Sequence, residues 1–331
     1  MEKRKESSWK KRSLLWGMLC LFLCGIFWNQ KEEILLAEGL PGQAGTVSLA
    51  QTKEKAQALL QEVTFQEKEG RVTEPTELMA DFASLRQNYY TIDSRTTLFS
   101  DDIDPATALA QDFSLDETVD GPQILIFHTH SHEGFADSDM SKGIEEGIWG
   151  VGERLKEILE EKYGIEVLHD TGRYDVVDGK NQITGAYERM EPAIRKILEE
   201  NPSIQVCIDL HRDGVGENTH LVTEIDGKQC AKIMFFNGMC RLNTSSGVQD
   251  IAGLENPYLK DNLAFSLQLQ TTAEQFEGFT RKIYLNAYRF SLHMLPRSTL
   301  IEVGAQTNTK EEALNAMEPL AKVLAQVLGK A

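Results

Sequence analysis

The chain has 331 residues, 41% of them hydrophobic, and a formal net charge of −17. That length allows one or two domains with ample material for a core. Residues 1–12 carry six Lys/Arg against two Glu, a net of +4, which leaves the remainder at −21 and argues against nucleic acid as a partner, because phosphate recognition needs basic surface.

In chain order, Lys3, Arg4, Lys5, Lys10, Lys11 and Arg12 precede an apolar run, Leu14–Trp28, with Trp16 and Trp28 near its ends as interfacial anchors. The run is 15 residues long. That is short of the roughly 20 of an ideal membrane span and near the upper limit of a secretory apolar region. Leu35-Leu36-Ala37 places Leu where a cleavage site wants a small residue, so an uncleaved anchor is favoured over a cleaved signal. Either way the basic flank stays cytoplasmic and the acidic bulk is exported, giving a single-pass protein of the cell membrane.

Residues 31–118 carry little pattern. Gln51–Gln66 reads as a helix, Phe82 through Tyr90 is an apolar patch, and Asp101–Glu117 is an acidic stretch broken at Pro105. The segment is expected to be a partly helical, membrane-proximal stalk. Of the exported cysteines, Cys207 lies in a predicted strand as a small buried hydrophobe, and Cys230 and Cys240 flank a strand and are free to pair or not. Three thiols make no disulfide framework.

From about residue 119 the pattern becomes regular. Strands are expected at Gln123–His128, Ile165–His169, Ile204–Leu210 and Thr299–Val303. Helices are marked by Ile148, Val151, Leu155, Ile158 and Leu159, by Met190, Ile194, Ile197 and Leu198, and by Leu259–Phe276 and Lys310–Leu328. Asp226-Gly227 between Leu221–Ile225 and Cys230–Phe236 suits a hairpin with a tight primed turn. Strands alternating with helices predict an α/β domain with a largely parallel sheet flanked by helices.

Three strand ends carry chemistry. Ile124–Phe127 runs into His128, His130 and His132, which share one side if strand geometry persists, and Glu133 adds a carboxylate. Ile204–Leu210 leads into His211-Arg212-Asp213. Glu302, between Ile301 and Val303, is costly to bury unpaired, so it has either a cationic partner such as Arg281 or Arg297 or a site to serve. Ligands bind at the carboxyl ends of strands in open α/β sheets. Together these residues suggest mononuclear zinc hydrolysis, with His130, Glu133 and His211 as ligands and Glu302 as the base. His128 and His132 stay open as alternative ligands.

The segments Ile126 to Glu133, Asp209-Leu210-His211-Arg212-Asp213, Leu300-Ile301-Glu302-Val303-Gly304 and Thr307-Asn308-Thr309, with Ala186-Tyr187-Glu188-Arg189 and Asn201-Pro202-Ser203, resemble the stage II sporulation protein P family of endospore-forming bacteria. The resemblance covers about residues 119–330. It implies a fold similar to the zinc N-acetylmuramoyl-L-alanine amidases. It implies cleavage of the amide joining muramic acid to the stem peptide of peptidoglycan, with peptide cross-links as a further target, during sporulation engulfment. It also implies partners: a sporulation protein D-type lytic transglycosylase and a membrane protein of the same complex. By the same resemblance His130 and His211 are metal ligands, Glu302 is the catalytic glutamate, and Glu133 is the third ligand. His132 stands where the family usually has a hydroxyl residue, Gly214 where Ser is usual, and Met190 where a small polar residue is usual. The expected organisation is a tail and anchor at 1–30, a stalk at 31–118 and a zinc hydrolase domain at 119–331.

Two alternatives stand beside this one. His128-x-His130-x-His132 is similar to the signature of the metallo-β-lactamase fold, but His132-Glu133 occupies the place of its closing Asp-His. An amidohydrolase barrel typically needs about 250 residues, more than residues 119–330 supply. A membrane-anchored wall-binding scaffold without catalysis is the non-enzymatic alternative.

Overall fold

The computed structural model describes residues 70–331. The expected anchor Leu14–Trp28 and the helix at Gln51–Gln66 lie outside them. Among the described residues, no helix is long and apolar enough to cross a membrane.

The centre is a seven-stranded sheet built from β1 (Tyr90–Ile92), β2 (Ile124–Phe127), β3 (Val167–His169), β6 (Val206–Asp213), β9 (Ile233–Gly238), β12 (Ile283–Asn286) and β13 (Arg297–Ala305). Their order is β1-β12-β9-β13-β6-β2-β3, and every neighbouring pair is parallel except β13 with β9. This is the largely parallel α/β sheet expected. The remaining strands form three small hairpins: β4 (Val176–Val177) with β5 (Lys180–Asn181), β7 (Val222–Ile225) with β8 (Lys228–Ala231), and β10 (Arg241–Thr244) with β11 (Gly247–Asp250). The turn of β7–β8 falls on Asp226-Gly227, both at positive φ, as a primed turn requires.

Strand alternation sorts the side chains onto two faces. On one face Ile124, Ile126, Ile208, Leu210, Ile301 and Val303 pack in a single core with α3 (Ile148–Tyr163), α5 (Leu259–Ala273) and α6 (Lys310–Val327). On the other, Leu125, Phe127 and Cys207 pack against Met190 and Ile194 of α4 (Ala186–Glu200). Each of these large side chains contributes about 1.5–3 kcal/mol when fully buried. The helices end where their sequences say they should. Gly164, at φ 62, closes α3 through its N–H to the Glu160 carbonyl. Thr309 and Glu312 form a reciprocal capping box at the start of α6.

One expectation is corrected. The boundary at residue 118 falls inside a packed unit rather than between a stalk and a domain. β1 is a strand of the central sheet, paired with β12. Two short helices precede and follow it, α1 (Phe82–Tyr89) and α2 (Pro105–Ala110). They bring Leu85, Tyr89 and Leu109 into the main core, and Phe113 follows just after α2. Gln268 of α5 donates to the carbonyls of Ala108 and Gln111, and Asp102, from the acidic stretch, forms a buried two-pronged pair with Arg241 at 2.7 and 3.0 Å. A three-residue strand and a six-residue helix are too short for hydrophobic periodicity to reveal them. Cys207, Cys230 and Cys240 are all buried, free thiols.

Candidate metal centre

The site forms at the carboxyl ends of three adjacent strands, β2, β6 and β13. Glu302 of β13 and His211 of β6 are direct register partners. Asp209, two residues before His211, shares its face and pairs in register with Phe127. All three carry the parity of Cys207 and Leu300, so they project from the α4 face of the sheet. Beyond Glu302 the ladder is interrupted by a register shift at Gly304, which sits at φ 57. The buried Asn308 side chain holds that bend by accepting from the Ala305 N–H and donating to Glu312. A Cβ on Gly304 would come within 2.6 Å of the Asn308 amide oxygen.

The histidine run does not continue as a strand. β2 ends at Phe127, and residues 129–132 bend and turn. Only His130 reaches the site. His130, Glu133 and His211 form a group able to hold a metal ion, with ligand atoms all within 4.8 Å of one another. Glu133 Oε1 lies 3.4 Å from His130 Nδ1, and Glu133 Oε2 lies 3.4 Å from His211 Nδ1. Ligand bonds of 2.0–2.2 Å at a tetrahedral angle place donor atoms about 3.3–3.6 Å apart, and the two imidazoles approach different oxygens of one carboxylate at that spacing, an arrangement that could hold a metal ion. The two imidazole rings stand edge to face at 5.1 Å.

His211 and Glu133 are each held from behind. Asp209 accepts from His211 Nε2 at 2.7 Å, from the Thr129 N–H at 3.0 Å and from the Thr129 hydroxyl at 2.7 Å. With Nε2 committed to Asp209, Nδ1 is the ring nitrogen turned toward Glu133. The carboxylate–histidine arrangement is the usual support of a metal-bound imidazole. Glu133 accepts from the Arg212 N–H at 2.9 Å, while Arg212 Nε donates to the Gly134 carbonyl.

Electrostatics separates the two glutamates. Burial pushes Glu133 up, but His211 and His130 overcome it and hold the carboxyl well below its ordinary range. Burial above all, with the carboxylates of Glu133, Asp213 and Asp209 adding and His211 opposing, raises Glu302 to about 8. Glu302 Oε2 is buried without a hydrogen-bond partner. Neither arginine open to it takes that place: Arg281 pairs with Asp213, and Arg297 donates to Gln205 and the Ser114 carbonyl. Burial pushes His211 down, but Asp209 and Glu133 more than reverse this and raise it well above the ordinary histidine value.

The other two histidines of the run go elsewhere, which corrects the expectation of a shared side. His128 is buried toward α3, its Nδ1 on the Leu210 carbonyl at 2.7 Å and its Nε2 on His169 Nε2 at 2.9 Å. His132 turns to Asp175, 3.2 Å from Nδ1, with Arg173 on its Nε2. Two residues at the site had no role assigned from sequence. The i, i+2 spacing of Asp209 and His211 on one strand was the available signal for Asp209. Tyr187 stands edge-on to His130 at 5.7 Å, and only its place in the Ala186–Arg189 segment marked it.

The chain matches the model of the family described as stage II sporulation protein P (SpoIIP) over residues 37–325. It is 21% identical over 224 residues to the stage II sporulation protein P of Bacillus subtilis (strain 168), covering 63% of this chain and 52% of that protein. The chain thus spans about half the length of the curated relative it matches. Among solved structures it is similar to the CwlD amidase from Clostridioides difficile in complex with the GerS lipoprotein, at 16% identity and a TM-score of 0.36, covering 62% of this chain and 94% of that one. It is also similar to the apo form of the N-acetylmuramyl-L-alanine amidase Ami1 from Mycobacterium abscessus, at 11% identity and a TM-score of 0.35, covering 63% and 98%. The match to the family model spans most of the sequence, and the chain belongs to the stage II sporulation protein P family.

Proposed function

We propose that this chain is a zinc-dependent N-acetylmuramoyl-L-alanine amidase that cleaves the amide between muramic acid and the stem peptide of peptidoglycan during engulfment. The observation that carries this reading is the pairing of a His-Glu-His group able to hold a metal ion with a glutamate, on the register partner of one of its histidines, whose buried Oε2 has no hydrogen-bond partner. Family membership supplies the setting in the sporulating cell wall.

In this reading His130, Glu133 and His211 hold the ion. When bound, such an ion supplies Lewis acidity toward a carbonyl oxygen and eases deprotonation of water. The chain's own residues do the rest. Glu302 takes the proton of the attacking water and delivers it to the leaving nitrogen. Its Oε2 has no hydrogen-bond partner in the protein, which leaves that oxygen open to the water and the leaving nitrogen. Asp209 keeps His211 in one tautomer and one orientation through the cycle.

Mass analysis of fragments released from purified peptidoglycan tests the reaction. Free stem peptides beginning with L-alanine are expected. Cleaved cross-links with intact muramyl–alanine bonds would reassign the chain as an endopeptidase, and bound zinc with no cleavage would favour a wall-binding scaffold. The proposal extends to an uncleaved membrane anchor at Leu14–Trp28 with the catalytic unit outside the cytoplasm, on the strength of the basic flank and the aromatic ends. Protease added to intact protoplasts should then digest the bulk of the chain, and a full-length survivor beside a digested exported control would contradict it. The sporulation protein D-type transglycosylase and the membrane partner belong to the same proposal; co-purification of either from sporulating cells tests it, and recovery of neither counts against it.

A further inference from the structure

Tyr187 is fixed more firmly than a packing residue at a helix start requires. It is the second residue of α4, which begins at Gly185 in the left-handed region, φ 80. Two residues on, Arg189 donates to the carbonyls of Tyr174, Thr184 and Gln182, lashing the first turn of the helix to the loop before it. One turn on, Glu191 pairs with Arg289 at 2.8 Å. That pair ties α4 to the segment carrying Phe290.

Phe290 itself is a bulky residue at φ 54, a backbone conformation that costs roughly 1–3 kcal/mol and persists only where surroundings impose it. Its ring stands edge-on to Tyr187 at 5.4 Å and to Phe236 at 4.7 Å. Tyr187 is therefore wedged between Phe290 on one side and His130 on the other. Burial pushes its phenol well above the ordinary range, and the nearby carboxylates of Asp209, Glu302 and Glu133 push it the same way. The ring is thus held against His130, beside the site, with the phenol in its protonated form.

We propose that Tyr187 is a further catalytic residue of this site, donating its phenolic hydrogen to the carbonyl oxygen of the scissile amide as that oxygen gains negative charge. The proposal rests on the amidase reading above. The phenol keeps its proton throughout: the hydrogen bond strengthens as the carbonyl π bond opens and relaxes when the lactyl carboxylate and the free amine of L-alanine form. Such a donor matters only if it is preorganised where charge develops, which is what the Arg189 lashing and the strained Phe290 provide. Phe290 is a positioning residue in this account.

Tyr187→Phe keeps the ring and both edge contacts and removes one oxygen. In the metal-loaded full chain, with a soluble muramyl-peptide as substrate, kcat is expected to fall on the order of 10²-fold, the usual cost of one oxyanion donor. KM and metal stoichiometry should stay as in wild type. A second readout does not need turnover. A phosphinate mimic of the muramyl–alanine amide at its tetrahedral stage should bind Tyr187→Phe more weakly by a similar factor, while the product peptide binds both proteins alike. Wild-type kcat and wild-type phosphinate affinity in Tyr187→Phe would overturn the inference. So would loss of metal in that variant, because Tyr187 would then be a support for His130. If wild type releases no stem peptide, the amidase reading itself fails; if wild type and Tyr187→Phe cleave equally fast, only the role of Tyr187 fails.

Discussion

Among the described residues, two His-His-Glu groups lie on opposite faces of the sheet, and they differ in whether their spacing could hold a metal. On the α4 face, His130, Glu133 and His211 stand at spacings of 3.4 Å with the two Nδ1 atoms turned toward one carboxylate. On the α3 face, His128, His169 and Glu153 form a closed chain. His128 Nδ1 meets the Leu210 carbonyl, His128 Nε2 meets His169 Nε2 at 2.9 Å, and His169 Nδ1 meets Glu153 at 2.7 Å. Every ring nitrogen there is already engaged. Trp149 stacks on His169 at 4.6 Å, and a Cβ on Gly152 would press to 2.7 Å from His128 Nε2, so the pair fills the space beneath that glycine. Burial lowers His128 to about 3 and His169 to about 4, so both rings resist charging. The residue types are the same on both faces. What differs is whether the lone pairs are spent within the protein.

The largest effects should fall on the open group. His130→Ala and His211→Ala should each lose both metal and hydrolysis, because two remaining protein ligands cannot hold the ion. Retention of stoichiometric metal in either would return the assignment to His128 or His132. Asp209→Asn should act one step back, lowering metal affinity about 10–100-fold. Unchanged affinity in a competition titration would mean that the His211 tautomer needs no support. His128→Ala should leave metal binding intact and cost about 1–3 kcal/mol of stability, since it strands the Leu210 carbonyl and His169 in the core. Denaturant melts check this, and loss of metal in that variant would erase the contrast between the two faces.

The smallest effect is a pH trend in the metal-free protein. The Glu302 carboxyl stands at about 8 in the fold against an ordinary 4.5, so the folded state holds its proton more tightly. Its contribution to stability is whole below about pH 4.5 and is lost as pH rises through about 8. Metal-free wild type should therefore lose melting temperature relative to metal-free Glu302→Gln between about pH 5 and pH 8. A difference that stays flat over that range would contradict the desolvated carboxyl.

Much of this was legible in the sequence, for physical reasons. Long amphipathic helices such as α3 and α6 and continuous apolar strands such as β2 announce themselves by period, and Asp226-Gly227 by turn chemistry. The grouping of His130, Glu133, His211 and Glu302 followed from strand ends and from the family resemblance. The fate of His128 and His132 did not, because it depends on where β2 stops, and a strand that ends at Phe127 changes the parity of every residue after it. β1, β12 and α2 were hidden by their length. The wedge around Tyr187 joins positions 130, 187 and 290, a juxtaposition that no local pattern encodes.

The central claim is that Glu133 and Glu302, two glutamates at one site, divide the work as ligand and base. Metal stoichiometry after dialysis, measured side by side on Glu133→Gln and Glu302→Gln, tests it most directly. Glu302→Gln should keep one equivalent of zinc while releasing no stem peptide from purified wall, and Glu133→Gln should lose the metal. Zinc lost from Glu302→Gln and kept by Glu133→Gln would show that ligand and base are exchanged.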